Sequence, residues 1–174
     1  MNNEVLRCIR TRRSCRAYEA RQLEPEVLSA ILEAGTWAAS GRGRQAARIV
    51  VLQDPVEIAE LERMNAAVLG NPDAHPFFGA PTVCVVLTDP EVHTCVEDGA
   101  LVIGNLMLAA HSLGVGSCWI HRAREEFDSP EGKALLQKWG VDGRYIGVGH
   151  CILGYAAKGP AEPKPRKDDY VIFR

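Results

Sequence analysis

Residues 82–88 read TVCVVLT, and no other stretch of the chain constrains the fold as tightly. The run is β-branched and mostly apolar without alternation, so neither face of such a strand can be offered to water. Pro81 and Pro90 bracket it. A strand buried on both faces needs a layer of structure on each side. Three further strand-like runs are read at 47–52, 115–120 and 145–155. Helical spacing is read at 3–10, 25–34, 56–68 and 123–138, with Val5, Leu6 and Ile9 forming one apolar stripe on the first. The longest helical pattern, 90–113, is nearly apolar all round its middle, so it should lie centrally or partly against a second subunit. Its Gly99, Ala100, Gly104, Ala109 and Ala110 leave room for a partner helix. Residues 70–81 carry Gly70, Pro72, Pro76, Gly79 and Pro81 and should be irregular. Strands that are few and unevenly spaced predict an α+β or a mixed α/β sandwich, one sheet with helices packed on it, as a single domain over residues 1–174.

The charge balance narrows the function classes. Twenty basic residues face 22 acidic ones, for a net charge of −2, which argues against a general nucleic-acid or membrane binder. Six cysteines form no CxxC pair and no zinc-like grouping with histidine. Cys84, Cys118 and Cys151 fall inside strand-like runs and read as buried thiols. The start, MNNEVLRCIRTRR, has no signal-like apolar stretch. The apolar segment at 99–110 is interrupted by Asn105 and falls short of the ~20 residues a membrane span needs. A reducing cytoplasm fits these features.

Basic clusters and glycines are the chemistry the chain offers. Arg12-Arg13-Ser14-Cys15-Arg16 places three guanidiniums and a hydroxyl within five residues. Arginine forks match phosphate oxygens, although a solvated cationic face at a helix end gives the same pattern. Ser40-Gly41-Arg42-Gly43-Arg44-Gln45 can bring backbone N–H groups close to an anion or ring edge, or can be an ordinary connection. No GK[ST] follows it, so it is not a P-loop. Gly114-Val115-Gly116 lies between helix and strand, the reverse of a dinucleotide fingerprint, and Gly147-Val148-Gly149 lies inside a strand. Lys158, Lys164, Arg166 and Lys167 form a second basic group among prolines. Tyr170-Val171-Ile172-Phe173 after it suggests a tail that docks. The five histidines form no HExxH array, and there is neither a GxSxG elbow nor a conspicuous carboxylate pair. His121 is the nearest acid–base candidate, but a lone His beside an apolar strand more often has a structural role. Anion-binding groups without an acid, base or nucleophile suit an enzyme whose chemistry belongs to a bound cofactor.

Four blocks in order carry a family resemblance. RRSCRAY (12–18) resembles the Arg-x-Ser-x-Arg-x-aromatic segment of nitroreductases. WAASGRGRQAARIVVL (37–52) is similar to their Ala-Pro-Ser-Gly-x-Asn-x-Gln-Pro-Trp loop and the strand after it. NLMLAAHSLGVGSCWIHR (105–122) looks like their central helix and Gly-x-Gly-Ser-Cys-Trp-Ile strand, and GHCILGYAAKGPAEPKPRK (149–167) like their last strand and Lys-Pro-Arg-Lys tail. The resemblance implies a mostly antiparallel sheet flanked by helices, in a homodimer with exchanged termini and FMN at the interface. It implies that Arg12, Ser14 and Arg16 hold the FMN phosphate and ribityl chain, with Arg13 beside them and Lys164 and Arg166 approaching. Ser40, Gly41 and Gln45 would lie along the flavin, and Trp119, Ile120, His121 and Arg122 near its ring, where a backbone N–H directed at N5 would assist hydride transfer. Ala39 stands for the family's proline, Gly43 for its asparagine and Ala46-Ala47 for its Pro-Trp pair. The chain also lacks the extra segment of longer members.

The implied activity is ping-pong oxidoreduction, in which NADH or NADPH gives way to a nitroaromatic, a quinone or a similar flat acceptor. The alternatives are a flavin-binding or storage module without turnover, and a dehalogenase-type flavoenzyme on the same fold.

Overall fold

The computed structural model describes residues 3–174; Met1 and Asn2, which the single-domain reading includes, lie outside them. Four strands form one antiparallel sheet in the order β1-β2-β4-β3: β1 (Ala47–Leu52), β2 (Thr82–Thr88), β3 (Gly116–Ile120) and β4 (Ile146–Gly154). Every residue of β2 and β4 is buried, as the unbroken apolar run of β2 requires. Alternation along β2 sends Val83, Val85 and Leu87 into one core and Cys84 and Val86 into the other. A bulge opposite Val86 and Leu87 leaves Val148 without a partner and reverses the parity of β4 there, so Val148 joins Cys151 and Leu153 on one face.

Helices cover both faces. On one lie α2 (Pro25–Thr36) and α4 (Cys95–Ser112), which place Leu28, Ile31, Val102, Ile103 and Leu106 on the sheet. On the other lie α3 (Pro55–Leu69), α5 (Ala123–Asp128) and α6 (Pro130–Lys138), contributing Leu61, Met64, Phe127, Leu135 and Leu136. The α+β sandwich expected from the sequence is the observed architecture. Gly99 serves the sheet rather than a partner helix: a Cβ there would come within 2.7 Å of Val148. Close approach between α2 and α4 is permitted instead by Gly35, whose added Cβ would lie 2.7 Å from Leu106.

Two helical expectations are corrected. The long helix begins at Cys95, not 90, because Asp89 and Pro90 start a turn that Asp89 closes by accepting from Val92 N through its carbonyl and from Glu91 N through its side chain. The 123–138 pattern is two helices. Ser129 precedes a proline and is therefore pushed out of the helical region; its hydroxyl caps α6 by accepting from Gly132 N at 3.0 Å.

The first helix, α1 (Glu4–Thr11), is capped by Asn3, whose side chain accepts from Leu6 N at 2.8 Å. None of its residues is buried, and Val5 and Ile9 of its apolar stripe, 65% and 52% exposed, line an open groove between α1 and α4. Residues beyond Tyr155 are likewise exposed, including Tyr170–Phe173.

Candidate active site

β3 is a sheet edge, and the chain after α1 runs along it. Ser14 bridges Ser117 in parallel, Cys15 N donates to Ser117 O at 2.9 Å, and Tyr18 then bridges Ala156. This brings Arg13–Ala17, His111, Gly114–Ser117 and Ala156, Lys158–Ala161 around one cavity of about 480 Å³. Arg13 Nη1 is held by the carbonyls of Arg10 and Arg12 at 2.8 and 2.7 Å. Arg12 Nη1, Arg13 Nε and Ser117 Oγ are buried without a hydrogen-bond partner. A buried polar group left unpaired costs about 1–3 kcal/mol, and more when charged. Three of them on and beside one sheet edge leave hydrogen-bonding capacity that an anion would use. His111 bonds Thr11 Oγ1 at 2.8 Å, and partial burial followed by Arg12, Arg13 and Arg7 lowers its pKa below the usual histidine value.

A second cavity, about 380 Å³, opens at the other end of β3. It is lined by Cys118–Arg122, by Arg16, and by Leu69, Ala74–Pro76 and Phe78 from the α3 end and the irregular segment after it. Arg16 lines both cavities. Arg122 adopts φ 82°, rare for a residue with a side chain. Its Nε and Nη2 donate to Asn65 Oδ1 at 3.0 and 2.9 Å, which offsets a left-handed conformation costing roughly 1–2 kcal/mol.

The glycine loop lies elsewhere. Ser40 and Gln45 line a third cavity of about 210 Å³ beside β1, with Asp98 and Val102. Ser40 Oγ accepts from Gln45 N at 3.1 Å, and Asp98 accepts from Gly41 N at 3.0 Å and Thr94 Oγ1 at 3.2 Å. A Cβ at Gly41 would overlap Thr94 Oγ1, so only glycine fits. β1 and β3 are opposite sheet edges, three inter-strand steps or about 14 Å apart.

The structure therefore gathers Arg12, Arg13, Ser14 and Arg16 with Trp119, Ile120, His121 and Arg122. It leaves Ser40, Gly41 and Gln45 at the far edge, and Lys164 and Arg166 exposed and outside both β3-edge cavities. Of the basic tail, Lys158 reaches the first cavity. Ser117, His111 and Asn65 join the site without having been singled out. Ser117 stood beside the noted glycines, whereas Asn65 carries no local signal. Cys84, Cys118 and Cys151 are buried free thiols, and burial pushes Cys84 up to about 12 and Cys151 well above the ordinary value, as expected of core residues. Cys95 is buried as well. Among the described residues no helix is long and apolar enough to cross a membrane, and no group of three His, Cys, Asp or Glu could hold a metal ion.

A basic cavity beside a second cavity, on an edge strand of an α+β sandwich, suits an enzyme built around a phosphorylated cofactor. Residues 9–155 match the model of the nitroreductase family, and the chain belongs to that family, one of oxidoreductases. A nitroreductase of Bacteroides fragilis NCTC 9343, solved with bound FMN, superposes with a TM-score of 0.91 at 33% identity over 99% of this chain and 100% of that one. A nitroreductase of Desulfitobacterium hafniense DCB-2, also with bound FMN, gives 0.90 at 27% identity over 100% of each chain. A protein of Archaeoglobus fulgidus, provisionally named an NADH dehydrogenase/NAD(P)H nitroreductase, is 32% identical over 96% of this chain and 90% of its own length.

Proposed function

We propose that the chain is an FMN-dependent oxidoreductase that takes electrons from NADH or NADPH and passes them to nitroaromatics, quinones or similar flat acceptors by a ping-pong mechanism. The observation that carries this reading is the unpartnered buried donors Arg13 Nε and Ser117 Oγ on residues that line a cavity sharing Arg16 with the one lined by Trp119–Arg122, the adjoining Arg12 also holding an unpartnered Nη1. These residues fit the group: Arg12, Arg13, Ser14 and Arg16 would hold the phosphate and ribityl chain, assisted by Ser117 and Lys158, and Trp119–Arg122 would border the ring. When bound, FMN supplies the chemistry of accepting and returning a hydride.

The protein's own work is binding and orientation. The arginines neutralise the phosphate in a partly buried setting, where charge-assisted hydrogen bonds are strong. Backbone N–H groups at the end of β3 offer donors where a reacting ring nitrogen gains charge. Phe78, His75 and Pro76 wall one side of the second cavity. Donor and acceptor use the same ring face in turn, which is the basis of the ping-pong order.

The reading includes a homodimer. The exposed stripe of α1 and the apolar residues Tyr170–Phe173 need cover, and a partner would carry its Ser40–Gln45 loop, and its Lys164 and Arg166, to the first chain's cavities.

An anaerobic absorbance spectrum of the purified protein, taken before and after NADH or NADPH, tests the reading. A flavin spectrum that bleaches and then recovers with a nitroaromatic or a quinone supports it. Flavin that stays oxidised with both donors favours a storage module. No flavin after reconstitution with FMN refutes the reading.

A further inference from the structure

Beneath the second cavity lies a buried polar chain that the proposed function leaves unused. Asn65 of α3, Glu126 of α5 and His150 of β4 are all buried, in a region otherwise filled by Phe77, Phe127 and Leu61. His150 Nε2 lies 2.6 Å from Glu126 Oε2, and the imidazole packs edge-on against Phe77, ring centroids 5.4 Å apart. Asn65 Nδ2 donates to the other oxygen of Glu126 and, at 2.8 Å, to the carbonyl of His121. Asn65 Oδ1 accepts both Nε and Nη2 of Arg122. These partners fix the amide orientation, since two acceptors face its nitrogen and a guanidinium faces its oxygen.

His150 Nδ1 has no hydrogen-bond partner among the described residues. An imidazolium would leave a buried N–H unsatisfied there, whereas a neutral ring donating through Nε2 leaves only a free lone pair. Glu126 then carries the negative charge. The Asn65 dipole lies between that charge and the positive charge of Arg122, aligned with both. Two of Arg122's five N–H groups are committed, and its backbone is held in the left-handed region, so the guanidinium has one fixed place at the wall of the second cavity. Burying a carboxylate among aromatic residues is seldom the most stable way to fill a core, and this chain ends at the cavity.

We propose that Asn65, backed by Glu126 and His150, is a positioning residue that holds Arg122 where it favours the reduced cofactor. The inference rests on FMN occupying the second cavity with its ring. Hydride transfer from a nicotinamide moves two electrons and one proton to the ring, which gains one negative charge while the nicotinamide becomes positive. A preorganised cation beside the ring favours that charge without reorganising.

The test measures dissociation constants for oxidised and reduced FMN, and the midpoint potential of the bound flavin, in wild type, Asn65→Ala, Arg122→Ala and the double variant. In each single variant the ratio of reduced to oxidised dissociation constants should rise about tenfold, with a more negative potential, as expected for a coupling of ordinary size. The double variant should shift no further than Arg122→Ala alone, because Asn65 acts through Arg122. Arg122 is only half-buried, so its variant keeps the proposal testable should Asn65→Ala fail to fold. The isosteric Glu126→Gln should shift the ratio the same way by less. An unchanged ratio in Arg122→Ala, or additive shifts in the double variant, overturns the inference while FMN binding stands. Wild-type protein that takes up no FMN overturns the functional reading and this inference with it.

Discussion

At the β3 edge of the sheet, atoms of Arg12, Arg13 and Ser117 are buried with nothing to bond. At the β1 edge, the loop 40–45 is tied internally: Ser40 caps Gln45 N, and Asp98 takes both Gly41 N and Thr94 Oγ1. Both stretches look alike in the sequence, short, polar and rich in arginine. Their difference lies in where hydrogen-bonding capacity is left over. An edge with surplus buried donors keeps capacity to hold a ligand. An edge whose groups satisfy each other is already rigid, and can present its surface to something bound elsewhere.

The largest effect should come from emptying the β3 edge. Arg12→Ala combined with Arg13→Ala removes two charge-assisted interactions worth about 1.5–3 kcal/mol each, so FMN affinity in a calorimetric titration should fall by roughly 10²–10⁴-fold. The thermal midpoint without FMN should hold, since removal of unsatisfied buried donors offsets the loss of the Arg13 Nη1 bonds to the carbonyls of Arg10 and Arg12. A fall in that midpoint would mean that the arginines are structural and that the two edges are alike.

At the β1 edge the order should reverse. Gly41→Ala forces its Cβ onto Thr94 Oγ1 and should lower stability by about 1–3 kcal/mol in denaturant unfolding. Next, a charge on the exposed stripe of α1, as in Ile9→Glu, should convert the proposed dimer to monomer in sedimentation while leaving the far-ultraviolet spectrum unchanged. If FMN affinity falls together with the dimer, the loop of one chain completes the site of the other. If affinity holds, the β1 edge plays no part in binding.

The smallest effect concerns His111. Its pKa is lowered in the folded protein, so between that value and the unfolded histidine pKa the unfolded chain binds more protons. Stability should therefore decline as pH falls below about 6.5. Neutralising the arginines with bound FMN should weaken that dependence and raise the titration of His111 followed by NMR.

Much of this molecule was readable along the chain. The buried run 82–88, the alternating strands and helices and the cluster Arg12–Arg16 were all visible because their physics is local: β-branched residues in sequence, apolar spacing, like charges close together. The break at Ser129 was also written locally, in the proline that follows it, but the helical spacing across 123–138 concealed it. The start of α4 at Cys95 depended on the turn that Asp89 makes with its own backbone.

The sequence by itself determined the sandwich class and the cationic character of residues 12–16, since each follows from neighbouring residues alone. Only the tertiary structure decided that these arginines keep unsatisfied donors and that Ser117 and Lys158 join them. It alone separated the glycine loop to the opposite edge, and it alone brought Asn65, Arg122, Glu126 and His150 into one chain. Those four come from α3, from the turn after β3, from α5 and from β4. Whether a polar atom is paired depends on which elements pack together, and no spacing along a chain encodes that.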